Sequence, residues 1–244
     1  MGWVDLHVHI LPGIDDGSQD LETSLQMGEA LYRLGFDTLC ATPHVKQGVW
    51  DGQREEVEAL TRVIEDELLG RLRPPGNGDE VNLRVITGGE HFLDASFFRR
   101  VEEKRLLEYP LERAVLVELS LMPGASHAGV REALFRVRVQ GIRPVLAHPE
   151  RYDASHRSID WIEQLRDDGV SMLCDLLSLA GRSGRASRRA FERMVDRDLV
   201  DGVCSDAHGV GDVHALDVAL PRLERMAGSA GLERYLTWGR ALTG

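Results

Sequence analysis

Short apolar runs and longer segments of mixed polarity alternate along this chain. The runs WVDLHVHI (3–10), FDTLCAT (36–42), VNLRVITG (81–88), RAVLVELS (113–120), IRPVLAH (142–148), VSMLCDL (170–176) and LVDGVCS (199–205) are rich in aliphatic and β-branched residues and predict seven strands. Between them the spacing predicts helices near 21–34, 54–70, 127–140, 157–168 and 186–197, with a further helical segment over 213–227. Gly35, Gly141 and Gly169 stand where three of these helices would close. The phrases ALYRLGFDT, RVRVQGIRP and QLRDDGVSM mark the passage from helix to strand, a β/α rhythm without a sequence repeat. The polar stretch RPPGNGDE (73–80) is too short a loop to divide the chain, so a single domain over 1–244 is expected.

The strand ends carry the chemistry. Residues two apart on a strand project to one face, so His7 and His9 of DLHVHI can reach one metal ion while Leu6, Val8 and Ile10 face the other way. In LPGIDDGS, the pair Asp15 and Asp16 and the nearby Ser18 stand at the start of the next helix. Any of them can cap it, but after an H-x-H strand Asp16 is read as a ligand. Pro43 is expected to end the second strand's ladder and to place His44 just past it, and Gly88 and Gly89 let the backbone pack closely before Glu90. Glu118 lies inside an apolar run, where an unpaired carboxylate is costly and a neighbouring cation explains it. His148 ends the fifth run with Arg151 three residues on, and Asp206 and His208 close the seventh. A structural metal site draws on one local segment, whereas a catalytic cluster at a barrel mouth takes one or two groups from each successive strand. The distribution of these nine groups therefore predicts a metal-dependent hydrolase.

Composition narrows the partners. At 244 residues, 43% hydrophobic and 28% charged, the chain can bury a full core, and α/β barrels reach this size as one domain. A net charge of -11 argues against nucleic-acid phosphates and anionic membranes as partners. Asp5 and His7 interrupt any signal-peptide core, no apolar run is long enough to cross a bilayer, and position 6 lacks the Ser or Thr of a myristoylation signal. Cys40, Cys174 and Cys204 sit far apart in apolar runs, as small buried hydrophobes do, and a reducing cytoplasm is expected. None of them is followed six residues later by Arg, so the signature of a thiol-nucleophile phosphatase is absent. The basic segment GRSGRASRR (181–189) lacks Walker spacing and is read as a basic loop that starts a helix, with charge that could contact a phosphorylated ligand.

The ordered set DLHVHILPGIDDG, ATPH, GGE, VELS, AHPERY and SDAH resembles the polymerase-and-histidinol-phosphatase (PHP) superfamily. Within it, the chain is similar to the manganese-dependent bacterial protein-tyrosine phosphatases associated with capsule and exopolysaccharide biosynthesis. The resemblance spans residues 5–208. It implies an α/β fold, a distorted seven-stranded TIM-like (β/α) barrel, with a trinuclear site. By that similarity His7, His9, Glu90 and Asp206 hold one ion, Glu90 bridges to a second held by Glu118 and His148, and Asp16, His44 and His208 hold the third. Histidinol-phosphatase-like members typically carry His at the positions of Asp16 and Glu118, while the tyrosine phosphatases carry carboxylates, and HPERY points the same way. More oxygen donors make a harder site, which suits Mn²⁺, with iron or zinc as alternatives in a purified sample.

Three divalent ions bring about six positive charges against four carboxylates, which leaves a positive pocket for a phosphate dianion. The expected nucleophile is a metal-bound hydroxide that attacks phosphorus without a phosphoenzyme, with Arg151 holding the phosphate oxygens and His148 and Asp206 indispensable to turnover. Relatives commonly carry an Arg beyond the SDAH motif. Here the stretch reads GVGDVHAL, so His214 is a candidate substitute, with Arg151 and Lys46 as the other phosphate contacts. His91, His127 and His156 are expected in surface or packing roles. The resemblance implies a phosphotyrosine protein as substrate, a tyrosine kinase with a Tyr-rich tail. Two rival readings are a phosphoesterase for small molecules such as histidinol phosphate and a non-catalytic regulator that binds a kinase.

Overall fold

The computed structural model describes residues 2–73, 81–125 and 127–244. The polar loop 73–80 lies almost wholly outside them.

The chain begins with β1 (Trp3–Val8), α1 (Leu21–Leu34), β2 (Phe36–Ala41), β3 (His44–Lys46), β4 (Trp50–Asp51) and α2 (Arg54–Leu72). β5 (Arg84–Thr87), β6 (Glu90–Phe92), α3 (Ala95–Glu102), β7 (Ala114–Glu118), α4 (Val130–Arg138) and β8 (Arg143–Ala147) follow. After a 3₁₀ turn (Pro149–Arg151) come α5 (Asp153–Arg157), α6 (Asp160–Asp167), β9 (Ser171–Asp175), α7 (Leu176–Ala180), α8 (Gly184–Asp196), β10 (Gly202–Cys204), α9 (Val210–Thr237) and α10 (Arg240–Thr243).

Two hydrogen-bonded sets, β1-β2-β5 and β10-β9-β8-β7-β6-β3-β4, join into one barrel. All pairs in it are parallel except the β3–β4 hairpin. A parallel bridge between Val8 and Ala207 and the bonds from Asp206 N to His7 O and from His9 N to Ala207 O close the ring between its first and last strands. β2 and β3 are one stave, and so are β5 and β6: Glu90 N bonds Pro43 O across the break, and Gly88 N bonds Ala41 O. Pro43 thus interrupts its ladder and does not end it, since the stave resumes at His44. Gly88 is required at this break, because a Cβ there would lie 2.9 Å from Thr42 Cγ2. Counted this way the barrel has the seven staves that the apolar runs predict.

Two apolar layers hold the barrel. Val4, Leu6, Cys40, Leu116, Val145, Ala147, Leu173 and Cys204, from successive staves, fill the interior, and Trp238 and Leu242 pack against them. The alternate residues Val115, Val117, Leu146, Met172 and Val203 pack outward against the helices. Both faces of the strands are therefore buried, which is why the runs read as continuously apolar. β1 departs from simple alternation. Leu6 belongs to the inner layer and Val8 and Ile10 to the outer one, and the register shift between Asp5 and Val8 is where the strand changes face.

The predicted helices differ mainly at their ends. α1 runs over 21–34, capped by Asp20 and closed by Gly35 at φ 112, a left-handed conformation that glycine adopts without cost. The segment 157–168 divides at Ser158 into α5 and α6, and the last helix continues past 227 with a break at Gly228, where φ is 72. α3, capped by Asp94, and α7, capped by Asp175, go unpredicted because each is only about two turns or less. The three cysteines are buried and free. Among the described residues no helix is long and apolar enough to cross a membrane.

Candidate metal centre

Nine side chains meet where the barrel strands end. His7 comes from β1, His9 from the position just past its end and Asp16 from the loop that follows, His44 and Glu90 from the first positions of β3 and β6, and Glu118 from the last of β7. His148 follows β8, and Asp206 and His208 follow β10. His148 and Asp206 have left-handed backbones, φ 34 and 46, where the strands hand over to loops. That conformation is costly for residues other than glycine, and it is kept where the surroundings fix it, as at ligand sites.

Four overlapping sets have donor atoms within 4.8 Å of one another: His7, His9 and Asp206; His7, Glu90 and His148; His44, Glu90 and Glu118; and His9, Asp16, His44 and His208. Glu90 stands between them, with His7 Nε2 at 3.2 Å, His148 Nε2 at 2.9 Å and His44 Nδ1 at 2.7 Å. Asp206 Oδ1 is 3.1 Å from His7 Nε2 and 3.4 Å from His9 Nε2. Asp16 Oδ1 lies 3.4 Å from His44 Nε2 and 3.6 Å from His208 Nε2.

These contacts fit cations better than hydrogen bonds. Nε2 of His7, Nε2 of His9 and Oε2 of Glu90 are buried and have no hydrogen-bond partner among the described residues. Buried polar atoms in folded proteins usually find partners, and several unpartnered ones at one point mark a missing charge. The other ring nitrogens are held from outside: His7 Nδ1 by Thr42 Oγ1 at 2.6 Å, His9 Nδ1 by Asp15 Oδ2 at 2.8 Å and His208 Nδ1 by the Asp206 carbonyl at 2.9 Å. Such outer bonds fix the imidazole tautomer and leave Nε2 free to bind metal.

Charge points the same way. Burial opposes a positive His7, yet Glu90 and Asp206 beside it outweigh burial and raise its pKa to about 10. Glu118 is pushed up to about 9 by burial and then by the charges of Glu90 and Asp206. The imidazoles around Glu90 and Asp206 hold those two carboxylates ionised, and Glu118 can join them only beside added positive charge, so the donor set fits divalent ions.

Arg151, at the end of the 3₁₀ turn, points into the same cluster, its guanidinium 2.5 Å from Asp206 Oδ2 and 4.0 Å from Asp175. Glu150 is buried and accepts from Asp175 N and Ser178 Oγ, so it does not pair with Arg151 at the surface. A cleft of about 420 Å³ lies over the cluster and is lined by Lys46 and Arg151 together with seven of the nine donors. It adjoins one of about 440 Å³ that shares Leu121, Arg151, Asp206 and His208 and continues past His156, Arg182 and Asp212.

Eleven of the twelve predicted site positions thus come together, and one does not. His214 is exposed on α9 and lines neither cleft, because its neighbours Val213 and Leu216 turn inward and the helix carries position 214 away. Arg182 is the additional cation beside the cleft, and its guanidinium donates to Gly211 O. The sequence signal for it is the basic segment 181–189. His91 is buried beside Glu90 but accepts from Leu107 N, the packing role expected of it.

The family model for capsular polysaccharide synthesis, CpsB/CapC, matches residues 3–236. The tyrosine-protein phosphatase YwqE of Bacillus subtilis is 30% identical over 207 residues, covering 85% of this chain and 78% of its own. The tyrosine-protein phosphatase CpsB of Streptococcus agalactiae is 25% identical over 213 residues, covering 85% and 83%. Among solved structures, one described as YwqE from Bacillus subtilis and CpsB from Streptococcus pneumoniae, unique metal-dependent tyrosine phosphatases, superposes with a TM-score of 0.82. It shares 27% identity and covers 94% of this chain and 89% of the other. The phosphotriesterase homology protein of Escherichia coli shares the fold at a TM-score of 0.63 and 13% identity, covering 99% and 98%.

Proposed function

The chain belongs to the CpsB/CapC family of capsular polysaccharide synthesis, as a metal-dependent tyrosine-protein phosphatase, and we propose that its hydrolytic centre is the nine-residue cluster at the barrel mouth. His7, His9, Asp16, His44, Glu90, Glu118, His148, Asp206 and His208 are the proposed ligands of three divalent ions, Mn²⁺ in the native enzyme. The observation that carries this reading is the set of buried, unpartnered Nε2 and Oε2 atoms converging on shared points. When bound, such ions supply Lewis acidity: they neutralise the phosphate dianion and make water nucleophilic near neutral pH.

The chain's own groups do the positioning. Asp206 and Asp175 anchor Arg151, which leaves the rest of its planar fork for the phosphate oxygens. Lys46 lines the same cleft, its ammonium held 4.1 Å above the Phe92 ring, and serves as the second phosphate contact. Thr42 and Asp15 hold the His7 and His9 imidazoles each in one orientation. The proposed substrate is a phosphotyrosine protein, a tyrosine kinase with a Tyr-rich tail, and the setting is control of capsule or exopolysaccharide synthesis.

The test is to strip the protein with chelator and assay phosphotyrosyl peptide, p-nitrophenyl phosphate and histidinol phosphate while restoring Mn²⁺, Mg²⁺ or Zn²⁺. Peptide turnover restored chiefly by Mn²⁺ is the expected result. Turnover confined to a small phosphate would move the assignment to a metabolic phosphoesterase, and none at all would favour a regulator.

A further inference from the structure

The cleft over the cluster has walls that the hydrolytic chemistry leaves unexplained. Trp50, in the β3–β4 hairpin, stacks on His44 with centroids 4.6 Å apart and planes at 16°. Leu121, Met122 and Pro123, from the loop after β7, line the same cleft. Met122 is 73% exposed and Leu121 36%. A lone exposed hydrophobe means little, but here several surround the mouth of a highly charged site.

The loop that presents them is tied down on both sides. Leu119 N donates to Tyr152 Oη at 3.0 Å, Met122 N to Ser120 Oγ at 3.3 Å and Gly124 N to Asp153 Oδ2 at 2.7 Å. Its apolar side chains are thus held at the mouth while the backbone is anchored. The adjoining cleft is different in character, with Arg182, His156, Ser183, Ser187 and Asp212 on its sides.

We propose that Trp50, Leu121 and Met122 form the slot that receives the phenyl ring of phosphotyrosine, and so select aryl over alkyl phosphomonoesters. The proposal rests on the placement of the reacting phosphate beside Arg151 and the metal ligands. With the phosphate there, the group bonded to it must leave along the cleft, where a polar alkyl group gains nothing from Trp50 and Met122. A ring buries their apolar surface and its own. These residues touch no reacting atom, and they act on which phosphate ester is held.

The experiment uses the Mn²⁺-loaded enzyme and compares kcat/KM for phenyl phosphate with that for glycerol 2-phosphate, and the inhibition constant of inorganic phosphate. In Met122→Ser the aryl kcat/KM should fall roughly tenfold relative to the alkyl value, the low end for trimming apolar surface from a binding pocket. The change should lie in KM, phosphate inhibition should hold, and Met122→Leu should restore most of the preference. Equal falls for both esters, no fall, or a matching loss of phosphate inhibition would each overturn the slot. A wrong placement of the centre shows separately, as turnover that survives in Asp206→Ala.

Discussion

His9 Nδ1 and Asp15 Oδ2 lie 2.8 Å apart, and the same carboxylate accepts the backbone N–H groups of Gly17 and His44. Burial opposes the Asp15 charge, but these bonds outweigh it and hold the carboxyl down at about 2. One residue thus orients the His9 imidazole and ties the loop after β1 to the start of β3. Asp15→Asn should weaken Mn²⁺ affinity by about 10- to 100-fold, as other outer partners of metal ligands do. Activity measured against Mn²⁺ concentration checks this: the midpoint should rise while turnover at saturating metal largely returns. An unchanged midpoint would contradict it.

His148→Ala and Asp206→Ala remove proposed ligands from positions whose backbones are already left-handed. Each should lower turnover by at least about a hundredfold, the scale for losing one essential electrostatic group. Far-UV circular dichroism should stay native, because the inner and outer apolar layers do not include either residue. Unaltered turnover in either variant would remove it from the site.

Gly17 passes so close to β1 that a Cβ there would collide with both the carbonyl oxygen and the Cβ of His9. Gly17→Ala must push the Asp15–Asp16 loop outward, at a cost of about 1–3 kcal/mol for an overpacked contact. Metal affinity should fall along with stability. Urea unfolding and Mn²⁺ titration of the variant measure the two effects, and native values in both would mean that the loop yields freely.

Burial, and then the charge of Arg100, push the His91 pKa from its ordinary 6.5 down to about 3. Folded His91 stays neutral while the unfolded chain takes up a proton below about pH 6.5, so stability is fully present above that pH and drains away as the pH falls towards 3. The slope from one such group is about 1.4 kcal/mol per pH unit. His91→Gln retains an acceptor for Leu107 N and loses the titration. Urea unfolding of chelator-treated protein between pH 6 and pH 4 should show a shallower decline in the variant than in the wild type, and parallel slopes would contradict the assignment.

Much of the site was legible because barrel geometry maps onto sequence simply. A strand end followed by His, Glu or Asp, repeated through the chain, can be read without coordinates, and so can an H-x-H pair on one strand. What was hidden depends on where loops turn. Asp15 and Asp16 are adjacent and chemically equal, and only the turn at Gly17 sends one to His9 and the other to His44 and His208. Leu6 faces inward, against the simple alternation, because of a register shift that no residue type announces. His214 follows the SDAH motif closely in sequence, yet α9 has begun by Val210 and carries it outward, while Arg182 arrives from a segment read as a plain basic loop. The β3–β4 hairpin, which brings Trp50 to the cleft, is too short to give a period.

The central claim is that phosphotyrosine hydrolysis runs through ions held by the nine clustered residues. Its most direct test is to titrate Mn²⁺ into chelator-stripped protein while counting bound metal by mass spectrometry and following release of phosphate from a phosphotyrosyl peptide, in wild type and in Asp206→Ala. Turnover should appear as ions accumulate towards roughly three per chain, and Asp206→Ala should bind fewer and hydrolyse no peptide. Full turnover in the stripped protein, or in Asp206→Ala at any metal concentration, would contradict the account.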